Sequence, residues 1–122
     1  MDDLVQWLGE QLDEDTERAT TAAEEDGPDW RYDGHAVVTR REGDLVAVGS
    51  QEFMEPFRGE HIAEWDPARV LREIDAKRRV ITGLQHLTHS EDPFVSSIAD
   101  DSLRLLAEPY ADRPGYQESW RS

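Results

Sequence analysis

The chain contains one lysine, Lys77, and its position makes it the first candidate for chemistry. Lys77 falls between Ile74 and Ile81, within apolar residues that recur at helical spacing. An amine in such a stripe is either a nucleophile with a depressed pKa or a structural residue whose charge is paired. We favour the structural role, and predict Asp15 as the partner because it is the one acid in the apolar stripe of the N-terminal helix.

Two histidines near the end of a predicted helix have the spacing of metal ligands. His86 and His89 lie three residues apart, and Glu91 and Asp92 follow them. Two histidines and a carboxylate can hold zinc, but a histidine near a helix C-terminus is also stabilised by the helix dipole. We favour the second reading and predict no metal and no cofactor.

The other two histidines, His35 and His61, are weaker candidates for a functional site. His61 and Asp66 could meet as an oriented pair at a helix junction. Asp66 precedes Pro67, however, and this order is typical of a helix start, so a capping contact is favoured. His35 lies in a predicted strand, and the sequence indicates no further ligand for it.

Nucleophilic and glycosidase chemistry have no support in the sequence. The serines lie in no nucleophile-elbow context, and there is no glycine-rich phosphate loop. Asp100 and Asp101 are adjacent, so on a helix they point about 100° apart and cannot share a site. We therefore predict that the chain is not an enzyme. The alternative, a small enzyme, requires a pocket that joins at least two of the following residues: His35, His61, Asp66, Arg69 and Lys77.

Four arginines of the same predicted helix could bind an anion or a nucleic acid: Arg69, Arg72, Arg78 and Arg79. Glu73 and Asp75 interleave with them, and acids of the N-terminal helix are available to neutralise them. The formal net charge of −15 also opposes DNA binding. We predict no nucleic-acid partner.

The distribution of charge and the absence of cysteine limit the classes to which this protein can belong. Residues 1–30 carry eleven acids and one arginine, which favours a soluble chain that anionic membranes repel. The acidic start does not resemble a signal peptide, and no apolar run is long enough to span a bilayer. With no cysteine there is no disulfide framework, and we predict a cytoplasmic protein that does not bind membranes.

The pattern of apolar residues predicts an α+β fold, mostly helical, in a single domain over residues 1–122. We expect a long N-terminal helix, a small antiparallel β-hairpin or three-stranded sheet, two long helices packed as a bundle, and a short C-terminal tail. Trp30–Tyr32 is the candidate third strand, and Gln51–Phe53 a candidate extension of the second. The predicted bounds are 1–26 for the acidic helix, 29–54 for the hairpin region, 57–88 for two helices, 92–108 for the last helix and 109–122 for the tail.

Two predictions concern which side chains are buried. The last helix should bury one face, formed by Val95, Ile98, Ala99, Leu103, Leu106 and Tyr110. Trp65, Tyr116 and Trp120 are candidates for an exposed interface, because aromatic residues dominate binding hot spots. For Trp65 we favour the alternative, that it covers the core.

Two blocks of the chain resemble a known family. His61–Ile81 contains D-P-A-R-V-L-R-E-I-D-A-K-R-R-V-I, and Leu103–Arg121 reads L-R-L-L-A-E-P-Y-A-D-R-P-G-Y-Q-E-S-W-R. With the opening M-D-D-L-V and Gly-Pro-x-Trp at residues 27–30, they resemble a family of small proteins of unknown function from high-GC actinobacteria and their phages. The family has no assigned activity, so the resemblance implies no catalytic residue. It implies accessory or regulatory work in a phage or mobile-element setting.

The sequence thus favours a non-enzymatic protein that acts through contact with a protein partner, with a homodimer as a further possibility. The sharper alternative is an acidic mimic of nucleic acid that inhibits a nucleic-acid-binding enzyme. Mimicry requires acids along one continuous exposed face.

Overall fold

The structure is a computed structural model that describes residues 1–121. Its helices and strands, in chain order, are α1 (Asp2–Asp26), β1 (Trp30–Tyr32), β2 (Val37–Thr39), β3 (Leu45–Ala47), α2 (Pro56–Glu64), α3 (Pro67–Leu87) and α4 (Pro93–Ala107). Short 3₁₀ turns occupy Ser50–Glu52, Glu108–Tyr110 and Glu118–Trp120. Within these residues, four helices and one antiparallel sheet of three strands confirm the predicted α+β, mostly helical fold.

The helix boundaries lie where side-chain caps and breakers place them. The Asp66 carboxylate accepts a hydrogen bond from the backbone N–H of Arg69 at 2.9 Å, so Asp66 caps α3 as predicted. Asp92 caps α4 in the same way, by accepting from the N–H of Phe94 at 2.9 Å. Gly27 ends α1 with φ of +78°, a left-handed conformation that glycine adopts without a steric penalty.

The sheet has the strand order β1-β2-β3, and both pairs are antiparallel. Trp30–Tyr32 does form the third strand, and Gly43, with φ of +72°, lies in the turn between β2 and β3. The predicted strand extension at Gln51–Phe53 is wrong. Gln51 and Glu52 have φ of 62° and 60°, and these left-handed conformations end extended structure and form a 3₁₀ turn.

The turn that follows β1 is organised by one carboxylate. Asp33 Oδ1 accepts hydrogen bonds from the backbone N–H groups of His35 and Ala36, at 2.8 and 2.9 Å. The bond from Ala36, then that from His35, lowers the pKa of Asp33 below its ordinary value of 3.8, because both favour the charged form.

A pH titration of Asp33 tests this turn. A depressed pKa in the folded state contributes stability above the unfolded pKa, and this contribution is lost as the pH falls through the folded pKa. We expect NMR titration of the Asp33 carboxyl carbon to give a pKa below 3.8 in the folded protein, and a higher one in concentrated urea. Equal values in the two states would contradict the hydrogen bonds.

The chain separates into two compact units, which we describe individually. The central unit is Asp15–Ile74, and the terminal unit combines Met1–Glu14 with the described residues from Asp75 onward. Residues of α1 and α3 belong to both units.

In the central unit, α2 packs against β1 and β2. Gly59 of α2 is buried beneath the ring of Tyr32, whose hydroxyl donates to the carbonyl of Met54 at 2.6 Å. A Cβ atom on Gly59 would lie 2.1 Å from a carbon of that ring, so the contact requires glycine.

In the terminal unit, an aromatic cluster joins the start of α1 to the C-terminal tail. The Trp7 ring centroid lies 5.7 Å from that of Tyr116 and 5.5 Å from that of Trp120. The Trp7 indole N–H donates to the carbonyl of Pro114 at 3.1 Å. Trp120 is only 6% exposed and Tyr116 is half-buried, so the prediction that they form an exposed interface is wrong. Their rings instead pack against Trp7 of α1 and form part of the core of the terminal unit.

Helix α4 buries a narrower face than the sequence predicts. Ala99, Leu103 and Ala107 are buried, whereas Ile98 is 49% exposed. Placing Ile98 in the core is therefore wrong. The buried residues Ala99, Leu103 and Ala107 lie on the side of α4 opposite Ile98.

Candidate functional site

An apolar groove in the central unit, here called the tryptophan groove, is the candidate functional site. It has a volume of about 350 Å³. Its lining residues come from the later part of α1, from β1 and from the junction between α2 and α3: Asp15, Arg18, Ala19, Ala22, Trp30, Trp65, Pro67 and Val70. The volume is in the range of sites that hold a small molecule or one large side chain.

Trp65 lies at the C-cap of α2 and is held on the surface by its neighbours. Its backbone N–H donates to the carbonyls of His61 and Ile62, and the side chain is 45% exposed. The guanidinium of Arg69 lies 4.1 Å from the centroid of the indole ring, which is close enough for a cation–π contact. Trp65 is thus about half buried, and that it covers the core stays a prediction.

Arg69 is itself fixed by two carboxylates. Its guanidinium bonds to Glu64, and its Nη2 lies 3.3 Å from Glu73 Oε1. A guanidinium with two carboxylate partners, stacked on an indole, restrains the motion of the ring. The groove thus has a wall that is ordered before any ligand arrives.

Trp30, the second indole of the groove, is positioned by backbone contacts. Its Nε1 donates to the carbonyl of Gly27 at 3.0 Å, and its backbone N–H donates to Asp66 Oδ2 at 3.0 Å. The buried Asp66 carboxylate therefore caps α3 with one oxygen and holds the start of β1 with the other. Both oxygens serve structure, which confirms the capping interpretation over a pair with His61.

The polar groups at the groove are few. Arg18 Nη1 lies 3.3 Å from Asp15 Oδ1, and the other lining side chains are carbon-rich. A surface with two indoles, aliphatic groups and one ion pair suits burial of an apolar group.

A second cavity of the central unit, about 670 Å³, is polar. It lies between the end of α1 and the turn that joins β2 to β3. Its charged lining is acidic in excess, with Glu25, Asp26, Asp29, Glu42 and Asp44 against Arg40 and Arg41. Paired and opposed charges of this kind are typical of a solvated surface.

The ionisable residues that an enzyme would need are placed as follows. The ring of His35 lies 6.2 Å from that of Phe53, and His61 is exposed on α2. In the terminal unit, Lys77 Nζ donates to the hydroxyl of Tyr110 at 3.1 Å. Neither cavity described above is lined by any of these residues.

The Asp15–Lys77 pair and the absence of a catalytic site both stay predictions. Lys77 has the Tyr110 hydroxyl as a partner in its own unit, and Asp15 has Arg18.

Two further features concern metal binding and membrane spanning. In residues 1–121, no three histidine, aspartate or glutamate side chains form a group that could hold a metal ion. Over the same residues, no helix has the length and apolar character that crossing a membrane demands.

Three of the four arginines singled out in the sequence are paired with acids. Arg69 has Glu64 and Glu73, Arg79 Nη2 lies 3.0 Å from Asp75 Oδ2, and Arg78 Nη2 lies 2.6 Å from Asp13 Oδ1. The Arg78 contact confirms that acids of the N-terminal helix neutralise this arginine.

Sequence reasoning missed the tryptophan groove, although the positions of its two tryptophans have local signals. Trp65 immediately precedes the Asp66-Pro67 helix start, and Arg69 follows Trp65 by four residues, the spacing at which helical side chains meet. Trp30 follows the Gly27-Pro28 breaker, so it must lie near the end of α1.

Comparisons with known proteins give one family and no characterised relative. No curated protein and no solved structure matches the chain. The model of a family of unknown function, DUF6221, matches residues 1–122, and the chain therefore belongs to that family.

Proposed function

We propose that this protein is a non-enzymatic protein–protein interaction module, and that the tryptophan groove is its contact site. The observation that carries the proposal is Trp65, a half-exposed indole stacked on Arg69 at the edge of an apolar groove. Tryptophan and arginine are the residues most enriched in binding hot spots, and an indole that is already ordered loses little entropy on binding.

The groove fits a large apolar side chain presented by the partner. Its carbon-rich lining favours burial of such a group, and the acid-rich surface of the protein favours a partner that is basic around this anchor. The family resemblance supports an accessory or regulatory role in a phage or mobile-element setting, and the absence of cysteine favours a cytoplasmic location.

A pull-down from the native host tests the groove. We compare the wild-type protein with Trp65→Ala as bait and identify the bound proteins by mass spectrometry. Loss of a hot-spot indole costs about 2 kcal/mol of binding free energy, which corresponds to about 30-fold weaker binding. We therefore expect a bound protein to disappear with Trp65→Ala, and calorimetry with that purified protein to give the change in Kd.

Phe57→Ala is the matched control, since Phe57 is an exposed aromatic residue of α2 that does not line the groove. It should retain the partner at the wild-type level. The proposal fails if Trp65→Ala binds the partner as tightly as the wild type, or if both variants lose it equally.

A row of acids on α1 favours one second candidate, mimicry of a nucleic acid. Asp3, Glu10, Glu17 and Glu24 recur every seven residues in the sequence of α1, and each of them is exposed.

The same pull-down separates mimicry from the groove. A mimic would capture a nucleic-acid-binding protein in a salt-sensitive manner, and Glu10→Gln with Glu17→Gln would weaken that capture while Trp65→Ala would not. Capture that depends on Trp65 and persists at high salt rules out mimicry.

A further inference from the structure

Helix α4 exposes a row of large apolar side chains on the face opposite its buried one. Phe94 is 73% exposed, Ile98 49% and Leu105 56%. The buried face, formed by Ala99, Leu103 and Ala107, already anchors the helix in the terminal unit. The three exposed side chains, here called the α4 row, therefore contribute little to folding.

The spacing of the α4 row places its three side chains on one side of the helix. At 100° per residue, positions 94, 98 and 105 lie within about 40° of one another around the helix, and they span about 16 Å along its axis. A straight apolar row of this length matches the apolar face of another helix, which presents side chains at similar intervals.

Acidic residues surround the α4 row. Glu91 and Asp92 precede it, and both are exposed. The exposed Asp101 falls between Ile98 and Leu105 on the same face. These carboxylates favour a partner that carries positive charge beside its apolar side chains.

The same charges disfavour two other occupants. A second copy of this chain would bring like carboxylates together across the contact, and each copy has a formal net charge of −15. An anionic membrane surface would be repelled for the same reason.

From these observations we propose that the α4 row docks a basic amphipathic helix of a partner protein. The row is a contact surface separate from the tryptophan groove, so the two surfaces can be tested independently.

Fluorescence anisotropy with a defined probe tests the docking. The probe is a labelled 18-residue helical peptide of leucine, alanine and lysine, with its leucines on one face. We expect saturable binding, and at least tenfold weaker binding to Ile98→Glu and to Leu105→Glu. Each substitution adds a negative charge, so charge alone would strengthen binding, and a loss must come from the missing apolar contact.

Ser97→Glu is the matched control, because it adds the same charge at an exposed position of α4 and leaves the row intact. It should bind the peptide at least as tightly as the wild type. Trp65→Ala should leave the affinity unchanged, which keeps failure of this docking distinct from failure of the groove. Circular dichroism checks that each variant retains its helix content.

Three results would overturn the docking of a basic helix. The first is wild-type affinity in Ile98→Glu and Leu105→Glu. The second is equal binding of a scrambled peptide, whose leucines are spread around the helix, because that shows attraction by charge alone. The third is a dimer in sedimentation velocity that Ile98→Glu dissociates, because the row would then be covered by a second copy.

Discussion

Replacing Trp120 with alanine is expected to lower the free energy of unfolding by about 3 kcal/mol, the cost of emptying a well-packed aromatic site. Trp120 is buried against Trp7 and Tyr116, with ring centroids 5.5 and 5.7 Å away. Its removal leaves a cavity and also exposes the indole of Trp7. Urea denaturation followed by circular dichroism measures the change as a fall in the midpoint.

Trp65→Ala is the control for Trp120→Ala, because the chemical change is identical and the site is half-exposed. It should cost about 1 kcal/mol or less, since little packing is lost there. If both variants lose the same stability, the tail does not complete the core of the terminal unit. A smaller loss for Trp120→Ala than for Trp65→Ala would lead to the same conclusion.

The second large effect is expected at Gly59, where alanine should destabilise the protein by about 2 kcal/mol through overpacking. The added Cβ would lie 2.1 Å from a carbon of the Tyr32 ring, far inside contact distance. Tyr32 has little room to move, because its hydroxyl is bonded to the Met54 carbonyl. The ring, the strand or the helix must therefore shift.

Gly83→Ala is the control for Gly59→Ala, because the same substitution should here stabilise the protein. Gly83 is an exposed residue of α3, and a Cβ there would meet no other atom within 4 Å. Alanine should stabilise the protein at this position by about 0.5–1 kcal/mol, through helix propensity.

In a Tyr32→Ala background, the destabilisation caused by Gly59→Ala should vanish, because the ring atoms that the new Cβ meets are gone. A penalty that persists there would show that the Tyr32 ring is not the cause.

The boundaries of the elements could be predicted because local residues determine them. An aspartate before a proline is typical of a helix start, and both Asp66 and Asp92 cap a helix in this chain. Gly27 and Gly43 adopt positive φ at the end of α1 and in the turn of the hairpin. Each of these features depends only on residues that are close to it in the sequence, so it can be predicted from the sequence.

The burial of individual side chains was harder to predict, because it depends on which elements pack together. Trp65 and Trp120 are both tryptophans near a helical turn, and the sequence does not show that one lies on the surface and the other in a core. Ile98 fits the apolar period of α4, but the structure buries Ala99, Leu103 and Ala107 and leaves Ile98 49% exposed. The tryptophan groove joins residues up to 55 positions apart, from Asp15 to Val70, so no local pattern contains it.

The terminal unit is built from two segments of the chain, with the central unit between them in sequence. If residues 15–74 were an unstructured loop, bringing those segments together would cost about 3–4 kcal/mol of loop-closure entropy. A folded central unit fixes the distance between its own ends and removes most of that cost. We therefore expect the stability of the terminal unit to depend on whether the central unit is folded, because an unfolded central unit would restore the entropy cost of closing the loop.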